Sequence, residues 1–328
     1  MLMALLMFRF LSVSAPIVGF SLLCSAPLFA EQVIDIGSTF KCYFQDANDT
    51  KHSYTSDTTW TTDQINAVTR ALTTWDNLIQ NAPARTLTVG LYWKDQGYGA
   101  LAAASSPGQY YLTNGLQECS TIAESVWRDG DARAGYTTSF DIMIFCNSWQ
   151  SGFFYYGADP INAIDSPNQY DFQTVLTHEI GHALGFISYA TENGNFQTYS
   201  DGKSYSTTIY SAFDALMTNA EGKRIISEAD GGTKVFNLGE TLTLGDTGLT
   251  VFNPSSWQDG SSMSHIDAYS ESDAVMQYSI PTATNRRTLT DAEIALMSAM
   301  GWDMIPEPSS ATLSLLGIFS LLWRRNRH

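Results

Sequence analysis

The stretch THEIGHALGF, residues 177–186, carries two of the chain's five histidines, His178 and His182, with Glu179 beside the first. Residues four apart share one face of a helix, so both imidazoles can reach a single metal ion. Glu179 lies one step round, where its carboxylate reaches a water beside that ion better than the ion itself. This His-Glu-x-x-His spacing is a zinc signature with a built-in base. Upstream, YDFQTVLT supplies Phe172, Val175 and Leu176 as the apolar side of a helix expected from about Asp171 to Leu184, and Gly185 suits its end. A catalytic zinc takes three protein ligands and keeps one position open, so one ligand more is needed.

No histidine follows closely: three residues after Gly185 stands Ser188. Among the other histidines, His328 lies in the last residues and His52 far upstream in the polar DTKHSYT, which leaves His265, in GSSMSHIDAYS, as the candidate. An aspartate ligand stays open, with Asp201 and Asp267 among several. A helical glutamate ligand fits poorly, because Glu192 in TENGN is too near and in a turn and Glu228 in ISEADGG is followed by glycines.

Eleven residues past His265, AVMQYSI sets Met276 among small and polar neighbours. Zinc helix, long insertion, distant histidine and methionine turn, in that order, resemble the metzincin metallopeptidases, in particular the leishmanolysin-like plan. The resemblance covers roughly 171–185 and 260–303, and the rest only loosely. It implies an α/β (α+β) zincin-like fold, with a metzincin-type N-terminal lobe of twisted sheet and zinc helix and a more irregular C-terminal lobe. It implies Zn2+ held by His178, His182 and His265, with Met276 in the turn beneath. It also implies a zinc-dependent endopeptidase that cleaves protein or peptide substrates through a metal-activated water, with Glu179 as general base. Tyr278, two residues after Met276, stands where astacin- and serralysin-like enzymes keep a tyrosine that binds the metal and then swings to the oxyanion. FDIMIFCNS precedes the zinc helix, where metzincins keep the edge strand that pairs with substrate, so the backbone of 143–146 is expected to do so. Asp267 is a candidate partner for the second N–H of His265.

The chain's ends carry different chemistry. Residues 1–30 hold one arginine, a long apolar run and small residues near Ala30, the pattern of a secretory signal peptide. At the other end stand a Pro-Glu-Pro turn (Pro306 to Pro308), an apolar segment from about Ala311 to Trp323, and Arg324, Arg325 and Arg327. As a helix that segment spans roughly 20 Å, short of the ~30 Å of a hydrocarbon core. The tail resembles the PEP-CTERM sorting signal, which exosortase enzymes cut during export in some Gram-negative bacteria. That resemblance implies an exosortase-like partner, transient membrane association through the C-terminal segment, and a secreted or cell-surface location. The expected organisation is thus a signal peptide at 1–30, a metallopeptidase domain at 31–303 with lobes 31–188 and 189–303, and the sorting segment at 304–328.

Charge agrees with export. The chain has 33 acidic and 17 basic residues. Setting aside Arg9 and the three tail arginines leaves 17 − 4 = 13 bases against those 33 acids, a net of −20. Such a surface repels nucleic acid and anionic membranes, so no nucleic acid is expected as a partner. Cys42, Cys119 and Cys146 follow the signal, and an oxidising compartment favours one disulfide. Cys119 with Cys146 is the nearest pair in sequence, and the other pairings stay open.

Around the site, apolar spacing at Ile65, Val68, Leu72, Trp75 and Ile79 predicts a helix over about 63–80, capped by Thr61 or Thr62. RTLTVGLYW and residues 140–146 read as strands, GALAAASS as a short strand, and a helix is expected within 115–127. LTDAEIALMSAMGWD reads as a final helix with Thr290 and Glu293 forming a capping box. Two rival functions share these features: an exported, non-catalytic surface or matrix protein with a structural zinc, and a metal-dependent hydrolase of a non-peptide substrate. Glu179 argues against the first, since a structural zinc closes its four positions and needs no base.

Overall fold

LTVGLYWK is apolar along almost its whole length, the pattern of a strand buried on both faces. In the computed structural model it lies at the centre of a five-stranded sheet. The structure describes residues 32–305, apart from 48–53, 98, 110–114, 131–138, 201, 203–204 and 229–232. The signal segment, the Pro-Glu-Pro tail, His52, Asp201 and His328 therefore lie outside the described residues.

The sheet contains β1 (Gln32–Ile36), β2 (Phe40–Phe44), β3 (Leu87–Lys94), β4 (Ala102–Ser105) and β5 (Ile142–Asn147) in the order β1-β2-β3-β5-β4. β2, β3 and β5 run parallel, while β1 and β4 are antiparallel to their neighbours. Among the described residues four α-helices accompany it: α1 (Thr62–Leu78), α2 (Ile122–Asp129), α3 (Phe172–Ala183) and α4 (Asp291–Ala299). The architecture is mixed α+β, as expected. Smaller pieces include a sheet of Thr198–Ser200, Ser206–Tyr210 and Gly115–Glu118.

α1 and α3 pack on each other and on one side of the sheet. Trp93 of β3 stacks on Phe172 of α3, ring centroids 5.5 Å apart, and Trp75 of α1 is fully buried. Residues pointing the other way along β3 and β5 meet aromatic cover: Tyr92 stacks on Phe145 at 5.0 Å, and Tyr54 packs edge-on to both. Gly90 is required there, since a Cβ on it would fall 2.3 Å from the Phe140 ring.

Several expectations hold at residue level. Thr61 caps α1 through a capping box with Gln64, and Thr290 caps α4 with Glu293. One is refined and two are corrected. The segment 115–127 splits into the strand Gly115–Glu118 and α2, which starts only at Ile122 behind its own Thr121–Glu124 capping box. β5 is not an edge. The alanine-rich β4 doubles back against its outer side, so β5 spends its backbone groups on β3 and β4, and the open edge belongs to 102–105. The expected Cys119–Cys146 disulfide is not formed: all three cysteines of the domain are buried, and Cys42 and Cys146 are free thiols. Cys146 sits on β5, whereas Cys119 follows a strand of a different sheet and faces the Tyr189 hydroxyl at 3.2 Å. Burial pushes the Cys42 and Cys146 thiols up, so both behave as small apolar residues. Among the described residues, no helix is long and apolar enough to cross a membrane.

Candidate metal centre

α3 is fixed at both ends before it carries any chemistry. At its start the buried Asp171 accepts from the Thr174 backbone N–H at 3.0 Å and from its hydroxyl at 2.7 Å. Arg287 grips the same carboxylate through Nε at 2.9 Å and Nη2 at 2.5 Å. Along its length the indole N–H of Trp75 donates to the Thr177 carbonyl at 3.0 Å, and past its end that of Trp302 donates to Leu184 at 2.8 Å. Gly185 then turns the chain at φ +106°, a conformation that favours glycine, and the Phe186 N–H returns to the Gly181 carbonyl at 3.1 Å. A Cβ on Gly185 would also meet the Glu124 carboxylate at 2.6 Å.

This reversal serves His182 directly, because its Nδ1–H donates to the Phe186 carbonyl at 2.6 Å. His178 donates likewise to the Val275 carbonyl at 2.8 Å, and His265 to that of Ser261 at 2.8 Å. A carbonyl can only accept, so each imidazole carries its proton on Nδ1 and offers the lone pair of Nε2. Asp267 does not partner His265. The 261–265 turn closes on its own carbonyl, while Asp267 accepts from the Tyr269 N–H.

The three Nε2 atoms converge: His178 to His182 3.0 Å, His182 to His265 3.1 Å, and His265 to His178 3.3 Å. Burial comes first in holding all three imidazoles below the usual histidine range. His182 is the next cause at His178 and His265, and His265 itself falls to about 3. Three neutral, lone-pair-bearing nitrogens facing each other at this range cannot hydrogen-bond among themselves, whereas a cation satisfies all of them. His178, His182 and His265 thus form a buried triad able to hold a metal ion.

The far histidine is delivered by backbone pairing. The Phe252 N–H donates to the His265 carbonyl, and the Ile266 N–H to Met276, both at 2.8 Å. Beneath the triad, Met276 is fully buried. Its N–H donates to Glu293 at 2.8 Å, so the capping box of α4 also anchors the 275–276 turn whose carbonyl holds His178.

Glu179 is almost fully buried beside the triad. Burial raises its carboxyl to about 7, with the Ala104 N–H of β4 pulling the other way. Tyr278 lies at the rim, partly exposed, with its ring stacked on Phe252 at 3.8 Å. The triad, Glu179 and Tyr278 line one cleft of about 1170 Å³, together with the whole of β4. The groups that orient the rings were not visible in the sequence: carbonyls have no sequence signal, and Glu293 reads simply as a capping residue. Asp171, three residues before Thr174 at the head of an apolar helix, did carry a readable N-cap signal. A comparison with models of known protein families found no match, and no curated protein matches the chain.

Proposed function

We propose that this protein is a secreted zinc-dependent endopeptidase with a zincin-like site of the metzincin kind. The observation that carries the reading is the convergence of three Nε2 lone pairs within 3.0–3.3 Å, beside a buried glutamate and along a strand edge that no described strand covers. Tetrahedral zinc with Zn–N bonds of about 2.0–2.1 Å keeps its ligand nitrogens about 3.3–3.4 Å apart, close to the spacing of this triangle. All three rings give neutral nitrogen donors backed by carbonyl acceptors, a donor set suited to zinc. Among the described residues three protein ligands gather, and they do so at an open cleft, the arrangement of a catalytic rather than a structural zinc.

Zinc bound here supplies a Lewis acid that polarises a substrate carbonyl and acidifies water. The protein's own groups do the rest. The outward backbone groups of β4, other than the Ala104 N–H that meets Glu179, align an extended peptide by strand addition. Glu179 Oε takes the proton from the water as its oxygen bonds to the peptide carbon. The same carboxyl then delivers that proton to the leaving nitrogen as the C–N bond breaks. Its burial keeps the carboxylate a strong enough base for this near neutral pH. Tyr278, at the rim, donates its hydroxyl proton in a hydrogen bond to the oxygen that gains charge. The signal-like residues 1–30 and the sorting-like tail support export and handling by an exosortase-like enzyme.

Purified protein should digest casein or gelatin, lose that activity to a chelator, and regain it with added zinc. Chelator-insensitive digestion contradicts the zinc mechanism, and zinc-replete protein with no digestion argues for the structural-zinc alternative.

A further inference from the structure

One wall of the cleft is unusual for a surface. Trp149 and Phe153 are 44% and 49% exposed, yet their rings stack on each other with centroids 6.4 Å apart. Both belong to the 3-10 turn Ser148–Phe153 that follows β5, and both line the same cleft as the triad. Exposed aromatic side chains grouped on a concave wall mark a binding surface more often than an accident of packing.

The support beneath them is rigid. Asn147 is completely buried and uses its whole amide. Its Oδ1 accepts from the Trp149 N–H at 3.1 Å and from the Gln96 N–H at 3.2 Å, while its Nδ2 donates to the carbonyls of Gly97 at 2.9 Å and Ala100 at 2.7 Å. One side chain therefore ties the aromatic turn to the 96–100 loop that leads into β4. The aromatic pair is held in register with the N-terminal end of the strand edge, while Ala104, near the other end of β4, adjoins Glu179.

Charge narrows the ligand. Among the described residues lining the cleft there is no lysine or arginine, and the acids are Glu179 and Asp259. An acidic side chain finds no lysine or arginine to pair with beside the shelf, whereas an apolar ring gains contact area on it.

We infer that Trp149 and Phe153 form a specificity shelf for an aromatic side chain of an extended peptide, within the first four residues on the C-terminal side of the scissile bond. The direction follows from antiparallel pairing, the more stable mode of strand addition. A chain running antiparallel to β4 carries its C-terminal half from Ala104 toward Ala102 and Trp149. The inference rests on the peptidase reading for the position of the scissile bond, but binding to the shelf can be measured without cleavage.

The test uses the zinc-loaded Glu179→Gln protein and a set of ten-residue peptides, each with Phe, Ala or Glu at one of those four positions, and reads Kd by fluorescence titration. At one position Phe should bind about tenfold more tightly than Ala, with Glu weakest. Trp149→Ala and Phe153→Ala, each checked for unchanged metal content, should bring the Phe peptide down to the level of the Ala peptide, and Trp149→Phe should restore most of the difference. Equal binding of Phe and Ala at all four positions overturns the shelf, as does a Phe preference that survives both alanine variants. Hydrolysis of the same peptides by wild-type protein separates the two readings. Selective binding without hydrolysis keeps the shelf and removes the peptidase, while hydrolysis without selectivity does the reverse.

Discussion

Met276 fills the space that any side chain on residue 181 would need: a Cβ on Gly181 would stand 2.5 Å from its Sδ and 3.3 Å from the Trp75 ring. Gly181 lies between His178 and His182 on α3, so its bare backbone lets the methionine turn press against the ligand-bearing face. In an unconstrained helix, replacing glycine by alanine stabilises by roughly 1 kcal/mol. Here Gly181→Ala should instead destabilise, by about 1–3 kcal/mol for an overpacked core, and should loosen metal binding. Urea unfolding and metal stoichiometry check this, and a stabilised Gly181→Ala protein would contradict the packing described.

Asp171 and Arg287 should behave as a buried pair whose halves cannot be removed singly. Asp171 is fully buried and caps the ligand helix, and Arg287 also donates to the Gly157, Ala158 and Asp159 carbonyls. Arg287→Ala leaves that carboxylate uncompensated and should cost about 3–5 kcal/mol in chemical unfolding. Arg287→Lys should recover only part, because a lysine cannot reproduce the two-pronged contact. A loss below 1 kcal/mol for Arg287→Ala, roughly that of a surface pair, would mean that the contact is incidental.

Glu124 should make the protein less stable as the pH rises toward neutral. Burial lifts its carboxyl to about 7, with hydrogen bonds from Thr121 opposing part of the rise. The folded state therefore keeps a proton that the unfolded chain loses near the ordinary glutamate value of about 4.5. The contribution is full below about 4.5, falls through the window up to about 7, and is spent above it; the whole swing is about 3 kcal/mol. Glu124→Gln retains an acceptor for the Thr121 N–H and should flatten that decline. Thermal unfolding of both proteins from pH 4.5 to 8 checks it, and parallel profiles would contradict the buried proton.

Metal should stabilise the fold through the triad. Zinc at one hundred times its Kd should add about 2.7 kcal/mol. The increment should vanish in His265→Ala, although residue 265 lies far along the chain from the helix. Calorimetry with and without zinc reads this. An unchanged increment in His265→Ala would remove His265 from the ligand set.

The helices of the site were legible because each repeats an apolar spacing and announces its start: Thr61 with Gln64, Asp171 with Thr174, Thr290 with Glu293. His265 was legible because histidines are scarce. Strand order was not. β4 is a short run of alanines whose pairing depends on the distant β5, and nothing local says which of the two is the edge. The Cys119–Cys146 pairing failed for the same reason, since nearness in sequence does not report that Cys146 lies in the five-stranded sheet while Cys119 follows a strand of another. Trp149 and Phe153 carried no signal of their place in the sequence, and only the turn anchored by Asn147 brings them out to the cleft.

The most direct test of the central claim is peptide hydrolysis by zinc-replete Glu179→Gln protein. Glutamine keeps the size of the side chain but cannot take the proton. The variant should fold, hold zinc through His178, His182 and His265, and bind peptide, while kcat falls by about 10²–10⁴-fold, the usual contribution of a general base. Undiminished hydrolysis by that protein, with zinc content equal to wild type, would contradict the proposed mechanism.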